Sequence, residues 1–197
     1  MSESKPIAGV DYWPNAEEWK KQPTPPPKPP SLIFHAVLFL LVFTILQVGW
    51  LLVRDNNFGH FIRGDLTVKP SVSLINTLSP SIHASALGNQ IKAKGGGLVI
   101  KLGCEGVEAL FILIAAIVNA PLSRMAKLNG ILWGTLLIFV VNQARIVALF
   151  YAFRADKSIF HFLHGTVAPL MLIVIAGLFF HWWIVKNSAN KPVAESV

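Results

Sequence analysis

Four long apolar runs constrain the fold of this chain more than any other feature of its sequence. They cover about residues 32–53, 107–122, 128–153 and 160–185, and each is bounded by charged residues or proline. About 20 helical residues span the roughly 30 Å hydrocarbon core of a bilayer. Only 14% of the residues are charged, against about a quarter in a soluble domain. We therefore expect an all-α integral membrane protein with about four transmembrane helices, which excludes most soluble enzyme folds.

The rest of the chain divides into three parts. Residues 1–30 are polar and end in a proline-rich stretch, which predicts a disordered N-terminal tail before a transmembrane domain at 31–185. Residues 54–103 are predicted to form a small extramembrane insertion, such as a β-hairpin. The evidence for strands is the alternation of apolar residues at Leu66, Val68, Val72 and Leu74. The glycines at 95–97 form either a simple turn or a flexible element beside a site. Residues 186–197 are a C-terminal tail.

The net charge of +7 indicates contact with a membrane surface rather than with nucleic acid. The basic residues are scattered in ones and twos between the apolar runs instead of clustering on one face. With four crossings they divide equally between the two sides of the membrane, so their number does not set the orientation. Lys20, Lys21 and Lys28 precede the first helix, and this favours cytoplasmic termini.

Three residues that could carry chemistry fall on one side of the membrane. Cys104 precedes the second apolar run, Arg145 lies late in the third run, and His164 lies early in the fourth. Because successive helices cross in opposite directions, this holds for either orientation of the chain. The three side chains could therefore meet in a shallow pocket on the side opposite the termini.

Arg145 is the most informative of the three. An arginine at the centre of a membrane helix costs at least about 2.5 to 3.5 kcal/mol and is rare without a partner or a wet cavity. Asn142 shares its helix face, and Glu108 is a candidate counter-charge. Two structural explanations remain open: an arginine that snorkels to anchor the helix end, and an ion pair with Glu108 that serves packing alone.

Cys104 is the only cysteine, so this chain can form neither an internal disulfide nor a cysteine-based metal centre. A lone thiol in an apolar chain is usually a small hydrophobic residue. Here it lies between Gly103 and Gly106 at a predicted helix N-terminus, where the helix dipole lowers the pKa of a thiol. The neighbouring Glu105 acts in the opposite direction, and the balance stays open.

His164 is the best placed of the six histidines, although a lone membrane histidine usually serves helix packing. His161 precedes it by one helical turn, and the pair lacks a suitably placed third ligand for a metal ion. We expect no metal site and no other cofactor.

These residues together resemble a known family. A cysteine in a Gly103-Cys104-Glu105-Gly106 turn, the sequence Asn142-Gln143-Ala144-Arg145-Ile146 in the next helix, and His164 opening the last one are similar to the exosortase/archaeosortase family of integral-membrane cysteine transpeptidases. Length and helix plan look most like exosortase H. The resemblance covers about residues 54–185, and Glu105 departs from the serine that often follows the cysteine in larger exosortases.

The resemblance implies a mechanism and a substrate class. Cys104 would attack a peptide carbonyl to form a thioester, and His164 would protonate the departing amine and then activate the incoming nucleophile. Arg145 would stabilise the thiolate or the oxyanion. The expected supporting or substrate-binding residues are Asn142, Glu108, Glu105 and His161.

The expected partners are exported proteins that end in a short motif, one transmembrane helix and a basic tip, together with membrane lipid and an acceptor nucleophile. The expected location is the bacterial inner membrane, with the site facing the periplasm. The alternative is a non-enzymatic carrier or assembly subunit that uses Arg145 to bind an anionic group. Such a protein should tolerate Cys104→Ala.

Overall fold

A computed structural model describes residues 32–101 and 103–188, so the predicted N-terminal tail and most of the predicted C-terminal tail lie outside the described residues. Helices dominate the described chain, and a small antiparallel sheet separates the third helix from the fourth. The elements are α1 (Leu32–Val53), α2 (Asn57–Phe61), a π-helical turn (Ile62–Val68), α3 (Lys69–Leu78), a 3-10 turn (Pro80–Ile82), β1 (Ser85–Leu87), β2 (Gln90–Lys92), β3 (Leu98–Val99), α4 (Val107–Asn119), α5 (Arg124–Ala155), α6 (Lys157–Phe162), a second π-helical turn (Leu163–Val167) and α7 (Ala168–Ser188).

Three helical stretches are long and apolar enough to cross a membrane. They are α1, α5 and the continuous stretch Lys157–Ser188 that contains α7. The apolar helix α4 has 13 residues, or about 20 Å at 1.5 Å per residue, which is shorter than the hydrocarbon core. It packs against α1, α5 and α7. The chain is thus a helical membrane protein, and the fourth crossing remains a prediction.

Helix α5 joins two separate hydrophobic clusters. Its 32 residues extend about 48 Å, well beyond one bilayer core. The first half packs with α4 and α7 in what we call the bundle cluster, which contains Ala109, Leu113, Ile117, Ile138, Leu172 and Ala176. The second half packs under α3 and the sheet in the cap cluster, which includes Val72, Ile75, Ile91, Leu98, Ile100, Cys104, Ile146 and Phe150. We call the part of the chain that covers this cluster, from α2 to β3, the cap. Cys104 belongs to the cluster beneath it.

The prediction of strands around residues 66–74 is wrong, because this segment is helical. Val68, Val72 and Ile75 are spaced by four and three residues and are all buried, which is the pattern of one helix face. Leu66 and Leu74, which completed the apparent alternation, are 38% and 42% exposed. Strands do form later in the insertion, where β1, β2 and β3 pair in that order.

Each π-helical turn ends two residues before a proline, Pro70 in α3 and Pro169 in α7. Proline has no N–H and its ring displaces the carbonyl four residues earlier, so the regular helical ladder is interrupted there. In the cap the carbonyl concerned is that of Leu66, and Gln143 Nε2 donates to it at 3.0 Å. Gln143 Oε1 also accepts from Ser71 Oγ at 2.6 Å. One buried amide thus ties the cap to α5.

Candidate active site

The turn that carries Cys104 depends on two glycines. Gly103 and Gly106 have φ angles of +87° and +79°, in the left-handed region that favours glycine. A Cβ atom at Gly106 would lie 3.0 Å from Cγ of Asn142, so the turn also requires close packing on α5. The N–H of Cys104 donates to the Lys101 carbonyl at 3.1 Å, and Asn142 Nδ2 donates to the Cys104 carbonyl at 3.2 Å. The nucleophile candidate is thus held from both sides.

The structure brings Cys104 and His164 together. The Sγ of Cys104 lies 4.0 Å from Nδ1 of His164, although the two residues are 60 positions apart in sequence. Cys104 is 6% exposed and His164 is half-buried. The imidazole ring stacks on Phe160, with centroids 5.3 Å apart and planes within 6°. The stacking therefore fixes the orientation of the imidazole ring beside the thiol.

Arg145 points into the protein rather than to the membrane surface. It is 4% exposed, and its Nη1 donates to Asn142 Oδ1 at 3.3 Å. Asn142 therefore links the guanidinium of Arg145 to the backbone of Cys104. This placement excludes a snorkelling arginine, because a snorkelling side chain would extend to water.

Glu108 lines the same cavity as Arg145, with a volume of about 320 Å³. Among the residues that the structure describes, no ion pair within 4.0 Å joins the two side chains. The guanidinium Nε of Arg145 is buried and has no hydrogen-bond partner within that part of the chain. The cation therefore keeps donor capacity for a group that enters the cavity.

Burial decides the acidity of the Cys104 thiol. Desolvation raises the pKa of Cys104, and the charges of Glu105 and Glu108 act in the same direction. Arg145 and the hydrogen bond with Lys101 lower the pKa but do not offset the burial. The nearby cation therefore does not make Cys104 an acidic thiol.

Glu105 has an ion partner that the sequence analysis did not identify. Its side chain is fully buried, its Oε2 accepts from the Gly103 N–H at 2.8 Å, and its Oε1 lies 4.0 Å from Nε of Arg63. Burial raises the pKa of Glu105, and the charge of Arg63 acts to lower it. Arg63 also donates to the carbonyls of Gly59 and Arg54.

No local pattern marks Arg63, which precedes Gly64 and Asp65 in a segment that looks solvent-exposed. The only available signal was Glu105 itself, since a carboxylate beside an apolar helix requires a counter-charge. Gln143 lies within the Asn142–Ile146 motif, and nothing in the local sequence indicates its hydrogen bonds to Leu66 and Ser71.

His161 is exposed and lines a second cavity together with Cys104 and His164. This cavity has a volume of about 170 Å³, and its wall includes residues 98–101, which contain β3. Lys101 adds a positive charge to its lining. All of the candidate residues thus lie next to Cys104 or line one of the two cavities beside it. Glu105 lines neither of these cavities and instead accepts a hydrogen bond from the backbone of the turn.

A family model described as transmembrane exosortase matches residues 65–181, which is more than half of the chain. The matched region includes Cys104, Asn142, Arg145 and His164. Comparisons with curated proteins and with solved structures give no match.

Proposed function

The chain belongs to the transmembrane exosortase family, and we propose that it is a membrane-embedded cysteine transpeptidase that cleaves the C-terminal sorting signals of exported proteins. The observation that carries the proposal is the contact of Cys104 Sγ with His164 Nδ1 at 4.0 Å, beside a buried Arg145 joined to the same turn through Asn142. A nucleophile, a base and a fixed cation in one place suit acyl transfer. Chain length and helix plan favour the exosortase H subfamily.

In the first step His164 takes the thiol proton, and Cys104 Sγ attacks the carbonyl carbon of the scissile peptide bond. The C–N bond then breaks, the imidazolium gives its proton to the departing amine, and the acyl group remains on sulfur as a thioester. The raised pKa of the thiol makes His164 necessary as the base. The leaving amine carries the transmembrane helix and basic tip of the substrate.

Arg145 stabilises the oxyanion that forms on the substrate carbonyl. A fixed cation in a site with little water stabilises such a charge more strongly than it would in bulk solvent. Asn142 holds the guanidinium in place through its Oδ1. Glu108 and His161 line the two cavities beside the cysteine and contact substrate, while Glu105 supports the turn.

In the second step an acceptor nucleophile replaces the sulfur. His164 removes a proton from the acceptor, which attacks the thioester carbonyl and releases Cys104 as a thiol. An acceptor on the cell surface would leave the exported protein anchored there. Because the proposed substrates are exported, the enzyme would lie in the bacterial inner membrane, with its site facing the periplasm and its termini in the cytoplasm.

The test is processing of a co-expressed exported protein that ends in a short motif, one apolar helix and a basic tip. Cys104→Ala and Cys104→Ser should abolish cleavage. Arg145→Lys should lower the rate by about 100-fold or more, because lysine keeps the charge and loses the planar donors. His164→Ala should impair cleavage, whereas His181→Ala, a histidine exposed on the same helical stretch, should not. Cleavage by the Cys104→Ala chain would overturn the proposal and favour a carrier.

A further inference from the structure

Strand β3 is an edge strand that borders the candidate active site. The sheet order is β1, β2, β3, so β3 pairs with β2 on one side only. Residues 98–101 line the same cavity of about 170 Å³ as Cys104 and His164. An edge strand presents unpaired backbone groups along its free side, and proteins use such edges to bind extended peptides.

The register shows which backbone groups of β3 point away from the sheet. Val99 is opposite Gln90, and Leu98 is opposite Ile91. The Ile100 N–H donates to the Asn89 carbonyl at 2.9 Å, so the pair of Ile100 and Asn89 is a hydrogen-bonded pair of the ladder. Bonded and non-bonded pairs alternate in an antiparallel ladder. The N–H and C=O of Val99 are therefore turned to the free edge of the sheet.

This edge has a fixed position relative to the nucleophile. The Lys101 carbonyl accepts a hydrogen bond from the Cys104 N–H at 3.1 Å. Lys101 follows Val99 by two residues, so this bond connects the end of β3 to the turn that carries the thiol. Phe160, His161 and His164 complete the lining of the cavity from the helical side. A peptide held along β3 would thus lie beside both Cys104 and His164.

We propose that β3 binds the substrate by strand addition: an extended segment next to the scissile bond pairs with the free edge at Val99 and presents its carbonyl to Cys104. This rests on the function proposed above and adds the mode in which the substrate is held. Main-chain hydrogen bonds supply the binding, so the edge requires an extended backbone without proline at the paired position. Side chains on alternate residues of the segment face the cavity and supply specificity.

The test uses Val99→Pro, which removes the outward N–H and leaves the hydrogen-bonded pairs of the ladder intact. Ala86→Pro is the matched control. Ala86 is opposite Ile91 between two hydrogen-bonded pairs, so its N–H also points outward, but from the opposite edge of the sheet. The substrate is identified first: it is the tailed exported protein that accumulates uncleaved in cells in which Cys104→Ala replaces the wild-type chain. Val99→Pro should raise the KM for this substrate about tenfold with little change in kcat, whereas Ala86→Pro should leave the KM unchanged.

A second measurement does not depend on catalysis. In a Cys104→Ala background, Val99→Cys should form a disulfide most readily with a cysteine at the directly opposite position of the substrate segment. Cysteines two positions away should react less, and cysteines at the adjacent positions least, because side chains in a strand alternate between faces with a period of two. Crosslinking without that period would overturn strand addition, as would a wild-type KM in Val99→Pro. Failure of the wild-type chain to cleave any tailed protein would instead overturn the proposed function, so the two failures are distinct.

Discussion

At the scale of single residues, the buried carboxylate of Glu105 is the most unusual feature of the site. It directly follows the candidate nucleophile, and its charge adds to the effect of burial in raising the pKa of Cys104. A catalytic thiol is usually found in surroundings that favour the thiolate. Here the surroundings favour the neutral thiol, so the proposed mechanism requires His164 as a base.

Glu105→Gln should lower the pKa of the Cys104 thiol, because it removes a negative charge that opposes the thiolate. In the wild-type chain the rate of alkylation by iodoacetamide should rise with pH through a value above the ordinary pKa of cysteine, since a raised pKa reduces the thiolate fraction at neutral pH. In Glu105→Gln this rise should occur at lower pH. Asp65→Asn, which alters a partly exposed carboxylate paired with Lys69, is the control and should leave the profile unchanged. An unchanged profile in Glu105→Gln would show that the carboxylate does not act on the thiol.

Gly106→Ala should inactivate the site without any change in the reacting groups. The φ of +79° strains an alanine, and the added Cβ would push against Asn142, which holds both Cys104 and Arg145. We expect a loss of about 1 to 3 kcal/mol in the free energy of unfolding together with loss of cleavage. Gly177→Ala is the matched control, because nothing lies within 4 Å of its Cβ position and the helix gains propensity. Thermal unfolding in detergent gives the comparison, and equal stability of the two variants would contradict it.

At the scale of elements, two prolines shape the surroundings of the site. Pro70 leaves the Leu66 carbonyl without its helical donor, and Gln143 of α5 supplies one. Pro169 lies four residues after Gly165, so the turn that carries His164 is widened in the same way. Pro70 thus widens the helix between Val68 and Val72 of the cap cluster, and Pro169 widens the stretch between His164 and Leu172 of the bundle cluster.

Gln143→Leu should loosen the cap from α5. It removes the side-chain donor of the Leu66 carbonyl and one of the two acceptors of the Ser71 hydroxyl, the other being the Thr67 carbonyl. The loss should cost about 1 to 3 kcal/mol in unfolding free energy. Hydrogen exchange in α3 should rise by more than exchange in α4. Thr135→Val, also on α5, removes an exposed hydroxyl that bonds only within its own helix and should change stability by less than about 0.5 kcal/mol. If the two variants behave alike, Gln143 does not hold the cap.

The helices of the membrane domain were predictable because their signal is local. The apolar run at 128–153 corresponds to α5 at Arg124–Ala155, and the run at 107–122 corresponds to α4 at Val107–Asn119. The helical part of the cap was not predictable in the same way, because its buried face is defined by a partner about 70 residues away. The pairing of Arg63 with Glu105 was missed for the same reason, whereas Cys104, Arg145 and His164 were each marked by an unusual local context.

At the scale of the whole molecule, the site lies where the cap cluster meets the bundle cluster. Cys104 belongs to the cap cluster, and Ala109, five residues later, belongs to the bundle cluster. A substrate that ends in a membrane helix would reach such a junction with its helix in the bilayer and its preceding segment in the cap. This arrangement suits the proposed cleavage of a tail just outside the membrane.

The proposed orientation predicts a labelling pattern in intact spheroplasts. An impermeant maleimide should reach Cys104 from outside, slowly because the residue is buried, and a reporter fused at Val197 should behave as cytoplasmic. Asn187→Cys in a Cys104→Ala background is the matched probe at the far end of α7, and it should be labelled only after lysis. The reverse pattern would place the site in the cytoplasm and exclude the processing of proteins after export.

The central claim, a thioester on Cys104, is tested most directly by trapping it. With the wild-type chain and a tailed exported protein, an acid quench during turnover should preserve a covalent adduct between the two proteins, because a thioester is stable at low pH. Neutral hydroxylamine should cleave this adduct, and mass spectrometry should place the acyl group on Cys104. Cys104→Ala should form no adduct and should leave the tailed protein intact. Cleavage of the tailed protein by the Cys104→Ala chain would contradict the account.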